Sequence, residues 1–246
     1  MENGKKAAIG ATLLVVLVAG VRSWMVYRER NAPEAPVVKQ EAKIDDDDLV
    51  YLKKKLQSSL EDAKDLKGST LWVSAGGQMD YYAYAGHHAD YSKSKGILLA
   101  AVPLVVKDAF EQVAPKKAAF RIPAGDRHVL LVFTLPKSDS PTTEYAVPVG
   151  YKEGKFYTFY IDEIFFYDDP HELYKYWGPD VWKAIDEHRV INGMSEREVQ
   201  LALGQVSKST SNDYGNRMVV YSNLGKPMAV TFVKNKVTAV RADQGY

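Results

Sequence analysis

The sequence lacks cysteine altogether and has no excess of charge of one sign. Without cysteine among its 246 residues it can form neither disulfide bonds nor thiolate metal sites, and it cannot carry a lipid on a cysteine. Its 32 basic residues stand against 31 acidic residues, and the two signs are mixed along the chain. There is therefore no basic stripe for a phosphate backbone, and we do not expect nucleic-acid binding.

Long uncharged runs are also scarce, and the one that is present lies near the N-terminus. Ala7–Val21 carries no charge and follows two lysines. At 1.5 Å per residue it spans only about 22 Å, but extension to Tyr27 gives about 31 Å, enough for a hydrocarbon core of roughly 30 Å if Arg22 snorkels. We expect residues 1–30 to anchor the chain in a lipid bilayer as a single helix. A cleaved signal peptide is the alternative.

The segment after the apolar run predicts a stalk and then a helix. Residues 31–48 contain two prolines and no hydrophobic period, which is typical of a flexible linker. Asp45–Asp48 lacks the alternating ligands and the glycine of a calcium loop, so we expect it to cap a helix N-terminus. Leucines at three- and four-residue intervals predict that this helix covers Leu49–Leu66.

Between this helix and residue 167 the pattern changes to strands. β-Branched and aromatic runs are separated by Gly, Pro, Asp and Ser, and Lys152–Lys155 has the composition of a hairpin turn. Gly96–Val113 is ambiguous, and Lys107–Val113 could form a helical turn. Residues 49–167 are therefore predicted to be a β-rich α+β domain. Its expected strands are Thr70–Ser74, Met79–Ala85, Ala118–Ile122, His128–Leu135, Glu144–Tyr151 and Lys155–Phe166.

Candidate metal ligands occur in this domain at His87, His88 and Asp90. Adjacent histidines in an extended segment point to opposite faces, so both could bind one ion only if the chain bends there. A polar loop is the favoured interpretation, and we expect no metal or other cofactor. Gly76 and Gly77 are similarly expected to form a turn, because no Lys-Ser/Thr follows them as in a phosphate-binding loop.

Aromatic residues mark the passage to the C-terminal part, residues 168–246. Asp169 before Pro170 predicts a helix start. Trp177 and Trp182 could anchor a partner at the surface, since interfaces favour tryptophan. The favoured prediction is that they are core residues packed between the β-rich domain and the C-terminal domain.

The best-specified helix of the chain begins at Ser195. Its hydroxyl can accept from the first turn, while Glu198 can accept from the backbone N–H of Ser195, which together make a capping box. Gly204 occupies the end of the helix, where positive φ is often required. Gly193 and the helix are followed by three short strands, expected at Asn216–Ser222, Pro227–Lys234 and Val237–Arg241.

These elements resemble the SmpA/OmlA (BamE-like) domain family. The resemblance rests on Gly193-Met194-Ser195, Glu198-Val199, Leu203-Gly204, Tyr221 and Phe232–Val237, and it covers Trp182–Ala242. It implies a helix pair on a three-stranded antiparallel sheet. Val206 stands where the family usually has proline, and the lipid-bearing cysteine of its best-known members is absent.

Two functions are compatible with this organisation. The first is a non-catalytic, membrane-anchored protein that binds another envelope protein, with the part after the stalk on the periplasmic side and no small-molecule ligand. The balanced charges around the apolar run do not decide the side, so this expectation follows from the resemblance and the signal-like N-terminus. The second is an envelope hydrolase or metal-dependent enzyme with its site in residues 67–167, built from His87, His88, Asp90 or His128.

Overall fold

The computed structural model describes residues 17–28, 30, 46–115 and 121–243. The chain divides into two compact units, Met1–Asp45 and Asp46–Tyr246. In the first unit residues 17–28 are helical. Among the described residues, no helix combines the length and the apolar character that a membrane crossing requires. Residues 1–16 and 29 of the expected anchor and 31–45 of the expected stalk lie outside the described residues.

The second unit is α+β, with most of its regular structure in antiparallel strands. Its larger sheet has eight strands in the main order β3-β2-β6-β5-β4-β1-β8, with β7 paired to β6. The alternating pattern of β1 and the continuous apolar run of β5 place Leu71, Val73, Leu131 and Phe133 in one core. The strands are β1 Thr70–Val73, β2 Asp80–Ala85, β3 His88–Ile97, β4 Pro103–Gln112, β5 Arg127–Thr134, β6 Glu144–Glu153, β7 Phe156–Phe159 and β8 Phe165–Phe166.

Five short α-helices accompany the strands in the described part of this unit. They are α1 Leu60–Lys64, α2 Ile161–Ile164, α3 Pro170–Leu173, α4 Pro179–Asp186 and α5 Glu196–Leu203. Three 3₁₀ turns lie at Asp46–Leu49, Lys175–Trp177 and Asn223–Gly225. Pro170 and Pro179 occupy the first turns of α3 and α4, where their fixed φ suits a helix start.

The C-terminal sheet has four strands in the order β12-β11-β10-β9. They are β9 Val206–Ser209, β10 Met218–Tyr221, β11 Met228–Val233 and β12 Lys236–Ala242. Helices α4 and α5 share a core with this sheet, including Ile185, Val199, Tyr221 and Phe232. The three predicted strands are present, whereas β9 was not predicted, because Val-Ser-Lys-Ser has only one apolar residue and is mostly exposed.

The predicted α5 and its capping box are confirmed. The Ser195 hydroxyl accepts from the backbone N–H of Glu198, and the Glu198 carboxylate accepts from that of Ser195 at 2.6 Å. Gly204 has positive φ, at 81°, but its ψ of −131° is not that of a left-handed helix. A Cβ there would lie 2.2 Å from the Gly76 carbonyl oxygen, so close contact between two segments also requires glycine.

The predicted hairpins are largely correct. The turn in Lys152–Lys155 joins β6 to β7, with Glu153 opposite Phe156. The strands expected at Pro227–Lys234 and Val237–Arg241 leave residues 235 and 236 as the turn between them. The two-residue turn of the β11–β12 hairpin is instead Lys234-Asn235, and both residues have positive φ.

Several sequence predictions are wrong. The helix expected over Leu49–Leu66 is reduced to α1, because Asp162 accepts from the backbone N–H groups of Lys55 and Leu56 and holds that segment in a non-helical conformation. Ser59, not the aspartate run, caps α1. Lys107–Val113 is strand through Gln112, paired along β5, and not a helical turn.

Two further expected strands differ. Lys155–Phe166 is interrupted by α2, whose start follows Tyr160. Of the expected strand Ala118–Ile122, residues 118–120 lie outside the described residues, and Arg121 and Ile122 are in a bend.

Candidate binding groove

The predicted metal candidates lie at the β2–β3 hairpin. His87 is in the turn with φ of 59°, and His88 begins β3. Asp90 accepts a hydrogen bond from the backbone N–H of Ser92 at 2.9 Å, and its hydrogen bonds with Ser92 hold the pKa of this carboxyl below its usual range. No group of three or more histidine, aspartate or glutamate residues within the described ranges is arranged to hold a metal ion. The structure therefore does not gather these residues into a site.

His128 lies elsewhere, in the interior of the larger sheet. It is fully buried on β5, and its Nδ1 is 3.0 Å from the Tyr91 hydroxyl. Burial lowers the pKa of His128, because the charged imidazolium would lose its hydration there. The packing of His128 against a tyrosine is that of a neutral core histidine.

An aromatic cluster lies where the larger sheet meets the C-terminal helices. Tyr174 and Trp177 stack at 4.3 Å between ring centroids, and Trp177 lies 5.3 Å from Trp182. Trp182 is 8% exposed and shares its core with Phe166 of β8. The prediction that the tryptophans pack between the two parts of the chain is confirmed, although Trp177 keeps part of its surface exposed.

Asp47 makes buried contacts that the sequence did not reveal. Its Oδ1 accepts from the Tyr176 hydroxyl at 2.6 Å and from Trp177 Nε1 at 2.7 Å. Its backbone carbonyl accepts from Arg197 Nη1 at 2.9 Å, and the residue is only 8% exposed. Burial and the hydrogen bond to this carboxylate raise the pKa of the Tyr176 hydroxyl. The prediction that Asp47 belongs to a helix cap is thus wrong, because its partners come from more than 100 residues away.

A cavity of about 200 Å³ opens beside this contact, and we call it the aromatic groove. Most of its wall is apolar or aromatic, with polar side chains at Ser74, Arg197 and Gln200. The Arg197 guanidinium is 6.0 Å from the centre of the Tyr174 ring and makes no ion pair with any carboxylate that the structure describes. The lining residues are Leu52, Ser74, Phe166, Tyr174, Trp177, Arg197, Gln200 and Leu201.

The size of the groove limits what it can hold. Pockets for small molecules typically measure about 300–1,000 Å³, and the groove is smaller. A single large side chain of a partner, inserted among Phe166, Trp177 and Leu201, is a better match. Arg197 and Gln200 can then pair with polar groups of the same partner at the rim.

A second cavity, of about 340 Å³, lies between the β3–β4 connection and the end of α4. Ala100–Pro103 and Leu135 form its apolar wall, while Lys137, Asp186 and His188 bring charge to its edge. Ala101 and His188 both have positive φ, at 58° and 52°. Such backbone strain in residues other than glycine persists only where the surrounding packing holds it.

The chain matches no known family model, no curated protein and no solved structure. The resemblance to the SmpA/OmlA domain accordingly stays a prediction.

Proposed function

We propose that this chain is a non-catalytic, membrane-anchored envelope protein that binds another envelope protein through the aromatic groove. The observation that carries this proposal is the groove itself, an apolar and aromatic cavity of about 200 Å³ with Arg197 at its wall. Interfaces concentrate their binding energy in tryptophan, tyrosine and arginine, and these three residue types meet here. The SmpA/OmlA resemblance adds support, since it points to an envelope interaction module.

The membrane part of the proposal depends on the sequence of residues 1–48. The apolar run would tether the chain to the bilayer, and the proline-containing stalk would give the groove reach. A reporter that is active only outside the cytoplasm, fused after Tyr246, tests this directly. An active reporter on a membrane-bound chain is expected, whereas an inactive one would place the groove in the cytoplasm and contradict the envelope assignment.

The groove is tested by photo-cross-linking in cells. A photoreactive residue at the exposed groove position Gln200 is expected to give one discrete protein adduct. The control is the same residue at Lys95, which is exposed on β3, at the opposite edge of the larger sheet from β8. Arg197→Met should remove the Gln200 adduct. Equal labelling from both positions would show random collision and would contradict the proposal.

The alternative enzyme would need His87, His88, Asp90 or His128 to converge. In the part of the chain that the structure describes, no such group is arranged to hold a metal ion, and His128 is buried against Tyr91. A binding function is therefore the better supported of the two.

A further inference from the structure

The chain places one of its own segments against the aromatic groove. We call this segment, Asp46–Leu52, the acidic strap. Asp47 lies in the buried contact with Tyr176 and Trp177, Val50 packs against the C-terminal core, and Leu52 lines the groove. The strap thus contributes one carboxylate followed three and five residues later by aliphatic side chains.

The strap is held as a linear peptide would be held. After the 3₁₀ turn at Asp46–Leu49 it has no regular secondary structure, and it pairs with no strand of the described chain. Leu49 is 67% exposed and Tyr51 is 85% exposed, whereas Val50 between them packs against the C-terminal core. Short peptides bind protein surfaces in this manner, with a few inward anchors separated by solvated residues.

The groups that donate hydrogen bonds to the Asp47 side chain favour an acidic residue. The Tyr176 hydroxyl and Trp177 Nε1 converge on its Oδ1, and Arg197 Nη1 donates to its backbone carbonyl. The indole N–H can only donate a hydrogen bond, so a basic side chain could not replace the carboxylate, while an amide oxygen could accept these bonds but would carry no charge. Hydrogen bonds to a charged acceptor are also roughly twice as strong as neutral ones.

We propose that the partner of the aromatic groove carries an acidic–aliphatic segment of this same pattern, and that the acidic strap occupies the binding site of that segment until the partner replaces it. This inference depends on the proposed binding function and adds the chemistry of the partner to it. The covalent link to the domain keeps the strap at a high effective concentration. Partner binding is therefore weakened in the intact chain and rises when the strap is released.

The test measures binding of a fluorescein-labelled peptide of residues 44–52 to the full-length protein by fluorescence anisotropy. The Asp47→Ala protein, whose strap has lost its anchor, is expected to bind the peptide at least ten-fold more tightly than the wild type. Adding Arg197→Met to that protein should reverse the gain. Equal affinity of the wild type and the Asp47→Ala protein would overturn the proposal.

Two control peptides separate specific recognition from general attraction of acidic chains. The peptides with Asp45→Asn and with Asp47→Asn have the same net charge and differ only in position. The first should bind as the parent peptide does, and the second should bind at least five-fold more weakly. If both lose affinity equally, the groove does not recognise the position of Asp47 and the proposal is wrong.

A second protein variant covers the case in which Asp47→Ala does not fold, as judged by circular dichroism. Leu52→Ser changes a residue that is already 38% exposed, and it weakens the strap at its other end. It should raise peptide affinity as well, and no gain would count against the strap. If Gln200 cross-links to a partner in cells but neither variant gains affinity for the peptide, the groove is a binding site and its regulation by the strap is rejected.

Discussion

The ion pair between Glu196 and Arg217 should be the largest single electrostatic contribution to the stability of the C-terminal sheet and its helices. Glu196 is 2% exposed, and its carboxylate accepts from Arg217 Nη2 at 2.6 Å, from Arg217 Nε at 3.0 Å and from the Gly215 backbone N–H at 2.8 Å. It therefore fixes the start of α5 to the loop between β9 and β10. Removal of one partner from such a pair leaves the other charge buried, which destabilises a protein by about 3–5 kcal/mol.

We expect Arg217→Met to lower the free energy of unfolding by about 3 kcal/mol. This is the lower end of that range, because the Arg217 side chain is 16% exposed. Glu196→Leu should have a similar effect. The double variant should lose less than the sum of the two, with a coupling of at least about 1 kcal/mol, because no charge is then left buried. Urea unfolding followed by tryptophan fluorescence measures all three. If each single variant loses less than about 1 kcal/mol of unfolding free energy, or if the two losses are strictly additive in the double variant, the importance of the pair is refuted.

Three other changes test separate features. Tyr221→Phe should raise the free energy of unfolding by about 1 kcal/mol in the same urea assay, because the buried Tyr221 hydroxyl has no hydrogen-bond partner among the described residues. Burial raises the pKa of Glu198, so its folded form holds the proton more tightly than the unfolded form. The associated stability is complete below the unfolded pKa of 4.5 and is lost as pH rises through the folded value. The stability of the wild type relative to Glu198→Gln should therefore fall from pH 4 upwards, and a constant difference would contradict this. Gly204→Ala should lower the free energy of unfolding by about 3 kcal/mol or more, since its Cβ would lie 2.2 Å from the Gly76 oxygen. Gly193→Ala should lower it by only about 1 kcal/mol, because Gly193 has positive φ but open space around it. Equal losses in thermal unfolding would exclude the clash.

The exchange of the acidic strap and the stability of the Glu196–Arg217 pair can be measured independently. The strap contacts Tyr176, Trp177 and Arg197, while the pair joins α5 to the β9–β10 loop. A destabilised Arg217→Met protein that still folds should therefore bind the strap peptide as the wild type does. A change in its peptide affinity would show that the two features are coupled through α5.

Features governed by neighbouring residues could be predicted from the sequence. Ser195 and Glu198 are three residues apart, so the capping box of α5 follows from local geometry alone. The hairpin at Lys152–Lys155 and the positive φ of Asn235 are equally local. The α+β class follows as well, because short strands with apolar and polar alternation need a cover, and two short helices precede the last strands.

Contacts across long separations in the chain were decided only by the tertiary structure. The leucine spacing in Leu49–Leu66 fits a helix, yet Asp162 binds the backbone at Lys55 and Leu56 and keeps that part non-helical. A periodic pattern indicates which side chains can share a helix face, but it does not show that another segment offers the backbone hydrogen bonds that replace those of the helix. Asp47 is the clearest case, since within Asp45–Asp48 nothing distinguishes it until Tyr176, Trp177 and Arg197 fold around it. The sequence by itself determined the capping box of α5, the hairpin turn after β6 and the α+β class, whereas the groove and the strap depend on donors more than 100 residues away, which no local pattern encodes.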